Sequence, residues 1–134
     1  MESRITPMIS VQPQNKQLYY EQVWTLARQI PYARVATYGQ IAKMLDKPAD
    51  VSADDYKMYA ARWVGLAMAA CPDDVPWQRV INSQGKISPR AEAAKQIQLL
   101  QSEGVLFVNE KIDLHEYQWR GPGQADEPAQ GLLF

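Results

Sequence analysis

The spacing of hydrophobic residues along the chain is predominantly helical. Apolar side chains recur at three- and four-residue steps over residues 20–30, 56–68 and 94–100, and this spacing places one apolar stripe on each segment. The stripe of the third segment consists of Ala94, Ile97 and Leu100. The three segments are therefore predicted to be amphipathic helices that pack around one core.

Polar residues mark where two of the helices begin. Thr37 is a suitable N-cap for a short helix over residues 38–45, and Ser52 or Asp54 is suitable for the helix that follows. A polar loop, residues 46–55, joins the two helices and is longer than the usual turn of about 3–4 residues. Two joined helices with an earlier helix to pack on are typical of a helix-turn-helix.

The segment before the last predicted helix has β character. Val80–Ile81 is a short β-branched run, Asn82–Gly85 has the composition of a turn, and Lys86–Ser88 could return as a second strand. Ser88 then stands where it could cap the next helix, with Pro89 at the first helical position. A hairpin followed directly by a helix is the prediction for this segment.

The chain ends differ from the middle in composition. Gly104 fits the C-terminal cap of the last long helix, and Val105–Val108 is a candidate strand. Residues 1–17 are polar and without periodicity, which predicts a mobile arm. Residues 121–134, rich in Pro, Gly and acidic residues, predict a flexible tail. One domain is therefore expected over residues 18–120.

Composition excludes several classes of protein. Of the 134 residues, 46% are hydrophobic, which is enough for one core. The single cysteine, Cys71, and the single histidine, His115, exclude a disulfide framework and a metal site rich in Cys or His. No apolar run approaches the roughly 20 residues of a membrane span, and the start lacks a signal peptide's apolar core. The expected compartment is a reducing, cytoplasmic one.

Charge is unevenly distributed along the chain. A formal net charge of -1 would normally argue against a nucleic acid as partner. Residues 76–95, however, carry four basic side chains and one acidic side chain, whereas residues 46–74 carry six aspartates and three basic side chains. A local basic face is compatible with this distribution.

The most informative motif is Pro76–Ser83, which reads PWQRVINS. It resembles the Pro-Cys-His-Arg-Val signature of the O6-alkylguanine-DNA alkyltransferases, which move an alkyl group from guanine O6 onto that cysteine. Trp77 stands at the cysteine position, as in the alkyltransferase-like branch of the family, which binds alkylated DNA without repairing it. The other segments that resemble the family, in the same order along the chain, are residues 30–42, 61–68, 75–88 and 114–119.

The resemblance implies a mostly α, winged helix-turn-helix-like DNA-binding domain with a short β element. A helix that carries Ala61, Arg62 and Gly65 would lie in the minor groove, where its small residues permit close approach. A base must leave the duplex before its O6 atom can be inspected. Arg62 would fill the vacated space with its planar, charged guanidinium, and Tyr38 would crowd the 3′ phosphate to favour rotation.

The same resemblance implies a pocket for the flipped base. Trp77 and the loop around Ser88 would form its walls, and Val80, Ile81 and the main chain near Trp77 and Val105 would line the rest. Arg90 matches the arginine that faces the flipped base in the alkyltransferase-like branch. Its guanidinium could stack on the purine as a cation–π contact.

Gln78 stands where the family signature has a histidine. In the enzymes that histidine and a glutamate, for which Glu103 is the matching candidate, activate the thiol. Because no thiol stands at position 77, neither base is required. Gln78 is instead expected to hydrogen-bond to Glu103 and hold the site loop. The acidic loop of residues 46–55 is expected to project from the DNA face or to contact a protein.

These implications combine into one functional hypothesis. The chain would be a non-enzymatic sensor that flips O6-alkylguanine out of double-stranded DNA, holds it without dealkylation and flags it for nucleotide-excision-repair proteins. It would need no metal or other cofactor and would act as a DNA-associated cytoplasmic monomer.

Two alternatives remain. One is an active alkyltransferase with Cys71 as acceptor, although the carboxylates after Cys71 disfavour a reactive thiolate. The other is a sequence-specific helix-turn-helix regulator.

The C-terminal residues carry a separate motif. Gln130, Leu132, Leu133 and Phe134 resemble the short Gln-Leu-x-Leu-Phe peptides that dock on bacterial sliding clamps, although Gly131 stands at the first leucine position. An acidic linker that ends in an apolar anchor would suit such tethering. A plain tail remains the alternative.

Overall fold

Three helices form most of the core. The computed structural model describes residues 12–123, in which α1 spans Lys16–Ala27, α2 spans Tyr38–Met44 and α3 spans Ala53–Ala69. The positions predicted for these helices are confirmed, and α1 begins inside the predicted arm of residues 1–17. Residues 1–11 and 124–134, and with them the clamp-like motif, lie outside the described residues.

Each of the three helices begins at a polar side chain that accepts a hydrogen bond from the first turn. Asn15 and Ser52 each accept the backbone N–H of the third helical residue at 3.0 Å. Thr37 and Gln40 form a reciprocal capping box at the start of α2. The Thr37 cap is thus confirmed, and α3 is capped by Ser52 rather than Asp54.

An aromatic cluster fixes α1 and α2 against α3. The ring of Tyr19 meets those of Tyr56 and Trp63 edge to face, at centroid separations of 6.2 and 5.8 Å. The Tyr56 hydroxyl donates to the Ala42 carbonyl at 2.6 Å, so that its oxygen accepts from the Tyr19 hydroxyl at 2.9 Å. These contacts hold the inner face of α3 in the core and leave its outer face on the surface.

Two short parallel strands join the halves of the chain. β1 (Ala36–Thr37) pairs with β2 (Val80–Ile81), with Ala36 opposite Val80. A single-turn 3-10 helix, Trp77–Arg79, leads directly into β2. Because paired parallel strands run side by side, the start of α2 lies beside the turn that follows β2.

The predicted return strand Lys86–Ser88 does not form. Asn82–Gly85 is a turn as predicted, closed by a bond from the Gly85 N–H to the Asn82 carbonyl at 3.1 Å. Gly85, at φ +76°, approaches Ile112 so closely that a β-carbon would lie 2.6 Å from its carbonyl oxygen. The turn is therefore held against a later segment, and β2 takes β1 as its partner instead.

The next helix, α4, spans Ala93–Ser102 and so begins four residues later than predicted. The predicted start, with Ser88 as cap and Pro89 in the first position, is wrong. The N–H of Ala93 bonds to the carbonyl of Arg90 at 3.1 Å, which makes this stretch a turn that precedes the helix.

The inner face of α4 also differs from the prediction. Ala94 is exposed, whereas Gln96 and Leu100 are fully buried. A buried glutamine in this stripe is compatible with helix packing only where its amide is hydrogen-bonded. Gly104, at φ +94°, follows the helix and confirms the predicted C-terminal cap.

A small antiparallel hairpin completes the fold. β3 (Phe107–Val108), within the predicted strand, pairs with β4 (Lys111–Ile112) across a two-residue turn whose residues both have positive φ. The short helix α5 (Leu114–Tyr117) follows. The α2–α3 pair with this hairpin as a wing gives the mostly helical, winged-helix-like fold expected from the sequence.

The acidic loop between α2 and α3 packs against the chain that enters α1. The carboxylate of Asp50 accepts the N–H of Gln14 at 2.8 Å, and the Lys47 ammonium donates to the carbonyl of the buried Val51 at 2.6 Å. The sequence pattern did not indicate this contact within the chain. No helix within residues 12–123 has the length and apolar character to cross a membrane.

Candidate nucleic-acid interface

The outer face of α3 combines small residues with one guanidinium. Ala61 and Arg62 are exposed and Gly65 is half-buried, whereas Trp63 and Val64 point into the core. Residues three and four apart share a helix face, so Arg62 and Gly65 are neighbours on the surface. This places the three predicted DNA-contacting residues of α3 on one accessible surface.

Gly65 is not in close contact with other side chains of residues 12–123. A β-carbon added there would meet no atom within 4 Å. A glycine within a helix costs about 1 kcal/mol relative to alanine. The described residues therefore leave open space beside Gly65 on the surface of α3.

Tyr38 is the first residue of α2 and is half-buried, with its ring packed against the core. It lies just past the end of β1, whereas Trp77 precedes β2. The two residues therefore stand at opposite ends of the parallel pair.

Trp77 opens the 3-10 helix that precedes β2. Its backbone N–H donates to the carbonyl of Val75 at 2.7 Å, and its side chain is half-buried. The indole thus reaches the surface, as a residue that contacts a ligand must. We call residues Trp77–Arg79 the Trp77 turn.

A buried carboxylate, Glu103, anchors the Trp77 turn. Gln78 donates its side-chain amide to Glu103 at 2.8 Å, which confirms the predicted hydrogen bond, and Arg79 forms an ion pair with it at 3.0 Å. The backbone N–H of Ala33 adds a third donor at 2.8 Å. Glu103 therefore ties the Trp77 turn to the chain that precedes β1.

These donors determine the protonation state of Glu103. Burial alone would raise its pKa, but the hydrogen bonds from Arg79, Ala33 and Gln78 outweigh burial, and the pKa lies below its ordinary value. Glu103 is therefore a charged acceptor at neutral pH. Its role in the structure is to support the turn.

Ala33 adopts a left-handed conformation, with φ of 62°, to present its N–H to Glu103. The left-handed backbone conformation costs a residue with a β-carbon about 1–2 kcal/mol. Glycine adopts this conformation without strain, but its greater chain entropy in the unfolded state costs about 0.5–1 kcal/mol on folding. Ala33→Gly is therefore expected to raise the free energy of unfolding by roughly 0.5 kcal/mol. Urea denaturation would measure the change, and a decrease would contradict the interpretation.

Arg90 is linked to the Trp77 turn through Gln96. The Arg90 guanidinium donates to the side-chain oxygen of Gln96 at 2.7 Å. The Gln96 nitrogen donates to the carbonyls of Gln78 and Val80 at 3.1 and 3.0 Å. Sequence reasoning did not identify Gln96; its signal is a polar residue inside the apolar stripe of α4.

Three of the residues named for the pocket have side chains in the core. Val80, Ile81 and Val105 are each about 1% exposed, and they pack with the two hydrophobic clusters of the domain. Their side chains are closed to a ligand, so only the main chain could contribute there. Ser88 is half-buried. The structure therefore links Arg90 to the Trp77 turn only indirectly, and it turns these three side chains inward.

Four clefts of the described surface lie away from Trp77 and Arg90. The most voluminous of four, about 510 Å³, is bounded by the wing and α5 and includes Leu106, Val108 and Lys111. None of the four includes Trp77 or Arg90.

Cys71 follows the C-terminal end of α3 and is half-buried against the core. Burial raises the pKa of its thiol, and the carboxylates of Asp73 and Asp74 raise it further. A thiol that stays protonated is a poor acceptor of an alkyl group.

Sequence comparison places these features in context. The family model described as the 6-O-methylguanine DNA methyltransferase DNA-binding domain matches residues 18–105. A DNA base-flipping protein of Vibrio parahaemolyticus is 41% identical over 104 residues, which cover 74% of this chain and 93% of the relative. Alkyltransferase-like protein 1 of Schizosaccharomyces pombe is 37% identical over 112 residues, 76% and 94% of the two chains.

Structural comparison agrees with the sequence comparison. The crystal structure of S. pombe Atl1 in complex with damaged DNA containing O6-carboxymethylguanine superimposes with a TM-score of 0.63 at 36% identity. The match covers 78% of this chain and 96% of Atl1.

Proposed function

This chain belongs to the family of 6-O-methylguanine DNA methyltransferase DNA-binding domains, and we propose that it senses O6-alkylguanine in duplex DNA without repairing it. The observation that carries the proposal is the half-buried indole of Trp77 at the position of the family's acceptor cysteine. The names of its relatives, a base-flipping protein and an alkyltransferase-like protein, support the same function.

Alkyl transfer needs a thiolate within reach of the guanine O6 substituent. Tryptophan offers no such nucleophile, and the raised pKa of the Cys71 thiol disfavours it as a substitute. Gln78 and Glu103, at the positions of the activating pair, hydrogen-bond to each other and hold the Trp77 turn. The remaining chemistry of the site is binding.

The outer face of α3 would perform the first step. Its small residues, Ala61 and Gly65, let the helix approach the floor of the minor groove. Arg62 would then enter the stack in place of the rotated guanine, where its planar cation replaces lost stacking and hydrogen bonds. Tyr38, at the start of α2, would press on the 3′ phosphate and favour the rotated state.

The Trp77 turn would hold the flipped base. The indole offers an apolar wall to the O6 alkyl group, and Arg90 offers a guanidinium face to the purine ring. Burying one methyl group contributes about 0.8 kcal/mol to the binding free energy, which favours binding of the alkylated base over guanine. The main chain near Val80 and Val105 would complete the pocket.

The partners proposed beyond DNA rest on the sequence. Nucleotide-excision-repair proteins would recognise the marked lesion, and the motif Gln130–Phe134 would dock on a sliding clamp. The protein would act as a monomer, associated with DNA in the cytoplasm.

The direct test compares matched duplexes with and without one O6-methylguanine at the same stated salt concentration. Binding of the modified duplex is expected to be about 20-fold tighter, because the buried methyl group adds about 0.8 kcal/mol and the Arg90 contact with the flipped base adds on the order of 1 kcal/mol. A labelled methyl group is expected to stay on the DNA. Label on Cys71 would establish an alkyltransferase. Tight binding of one undamaged sequence, regardless of the alkyl group, would establish a regulator.

Arg90→Ala is expected to narrow the preference for the modified duplex by about fivefold, because a cation–π contact contributes on the order of 1 kcal/mol. Fluorescence anisotropy with both duplexes would measure the ratio of dissociation constants. Lys95→Ala is a suitable control, since Lys95 is an exposed cation on α4. An unchanged ratio for Arg90→Ala would remove Arg90 from the pocket.

A further inference from the structure

Gln96 is a polar side chain placed fully inside the domain. It is 0% exposed, although it lies on the stripe of α4 that otherwise packs apolar residues. Its amide makes three hydrogen bonds, two as donor and one as acceptor. Such a residue holds its partners in fixed relative positions, because each unmade bond in the interior would carry a desolvation cost.

The partners of Gln96 are the elements that recognise the base in the proposed function. Its nitrogen spans the carbonyls of Gln78 and Val80, at the end of the Trp77 turn and the start of β2, while its oxygen accepts from Arg90. We infer that Gln96 is a positioning residue for lesion recognition, which holds the Arg90 guanidinium beside the Trp77 turn. This inference rests on the proposed function.

Only a neutral amide meets both requirements of this position. A lysine could donate to the two carbonyls but would repel Arg90, whereas a glutamate could accept from Arg90 but would repel the carbonyls. A methionine of similar size could do neither. Substitutions at position 96 can therefore separate the packing role from the link to Arg90.

Glu92 is a second, solvent-exposed partner of Arg90. Its carboxylate lies 3.6 Å from the Arg90 guanidinium, and its side chain is 62% exposed. Without the Gln96 oxygen, the guanidinium is expected to move toward Glu92 and solvent, away from the turn. The variant is then expected to discriminate less between duplexes with and without O6-methylguanine, while its affinity for undamaged DNA is largely kept.

The experiment uses the full chain with Gln96→Lys and Gln96→Met, each alone and combined with Arg90→Ala. Circular dichroism and thermal unfolding identify the variants that fold, and Gln96→Met supplies the readout if the lysine variant does not. The exposed Gln98, changed to lysine, is the matched control on the same helix. The measured quantity is the ratio of dissociation constants for duplexes with and without O6-methylguanine.

The ratio is expected to fall about fivefold, as for Arg90→Ala, and the double variants should show no further loss. A purely structural role would weaken binding of both duplexes equally and leave the ratio unchanged, which would overturn the inference. Additive losses in the double variants, or an Arg90→Ala ratio like that of the wild type, would also overturn it. A wild-type protein without preference for the lesion would instead refute the proposed function, and the inference with it.

Discussion

Replacing Glu103 with alanine is expected to lower the free energy of unfolding by about 3–5 kcal/mol, because removal of one partner from a buried ion pair leaves the other charge unpaired. The side chains of Glu103 and Arg79 are only 6% and 16% exposed. The substitution also removes the acceptor of Gln78 and of the Ala33 N–H. For a chain of this size the midpoint of thermal unfolding should fall on the order of 10–20 °C.

A matched control comes from the surface. Arg28 and Asp74 form an ion pair at 2.7 Å, but both side chains are substantially exposed, at 39% and 64%. Asp74→Ala should therefore change stability far less than Glu103→Ala, since solvent screens the exposed charges. Equal effects of the two substitutions would show that the burial of Glu103 has no energetic weight.

The lowered pKa of Glu103 also predicts how stability depends on pH. A carboxyl whose pKa is lower in the folded state than in the unfolded state stabilises the fold above the unfolded value, near 4.5 for glutamate. This stabilisation is lost as the pH falls below that value and through the folded pKa. Glu103→Gln should flatten the dependence between about pH 5 and the folded pKa, as urea titrations across that range would show.

Much of the fold could be predicted because its signals are local. Helical spacing of apolar residues and the caps at Thr37 and Ser52 act within a few residues of chain, so the sequence pattern located α1, α2 and α3. The start of α4 was mispredicted for the opposite reason. Ser88 and Pro89 form a good local start signal, but contacts of Arg90 with the carbonyl of Ser88 and with the side chain of Gln96 accompany a turn there.

The site was predictable only where a motif marks it. Trp77 and Arg62 were identified from the motifs that carry them, and the structure leaves both at the surface. The position of Val80 within the same motif as Trp77 did not reveal that Val80 pairs with Ala36 and that its side chain lies in the core. Gln96 was missed because its role arises from partners distant in the chain, including the carbonyl of Gln78.

Arg62→Ala is the substitution expected to weaken lesion binding most. The exposed guanidinium on the outer face of α3 is proposed to replace the stacking of the flipped guanine, and contacts of this kind are worth roughly 1–3 kcal/mol. The dissociation constant for a duplex with O6-methylguanine should therefore rise about 5- to 150-fold. Because Arg62 lies outside the core, thermal stability should stay close to that of the wild type.

Arg62→Lys separates the charge of this side chain from its shape. Lysine keeps one positive charge, so the electrostatic part of DNA binding and its salt dependence should be preserved, but an ammonium cannot stack as a planar guanidinium does. The lysine variant should thus lose most of what the alanine variant loses. If lysine restored wild-type affinity, Arg62 would act through its charge alone. If both variants bound like the wild type, α3 would not enter the base stack through this residue, and the rotated base would need another support.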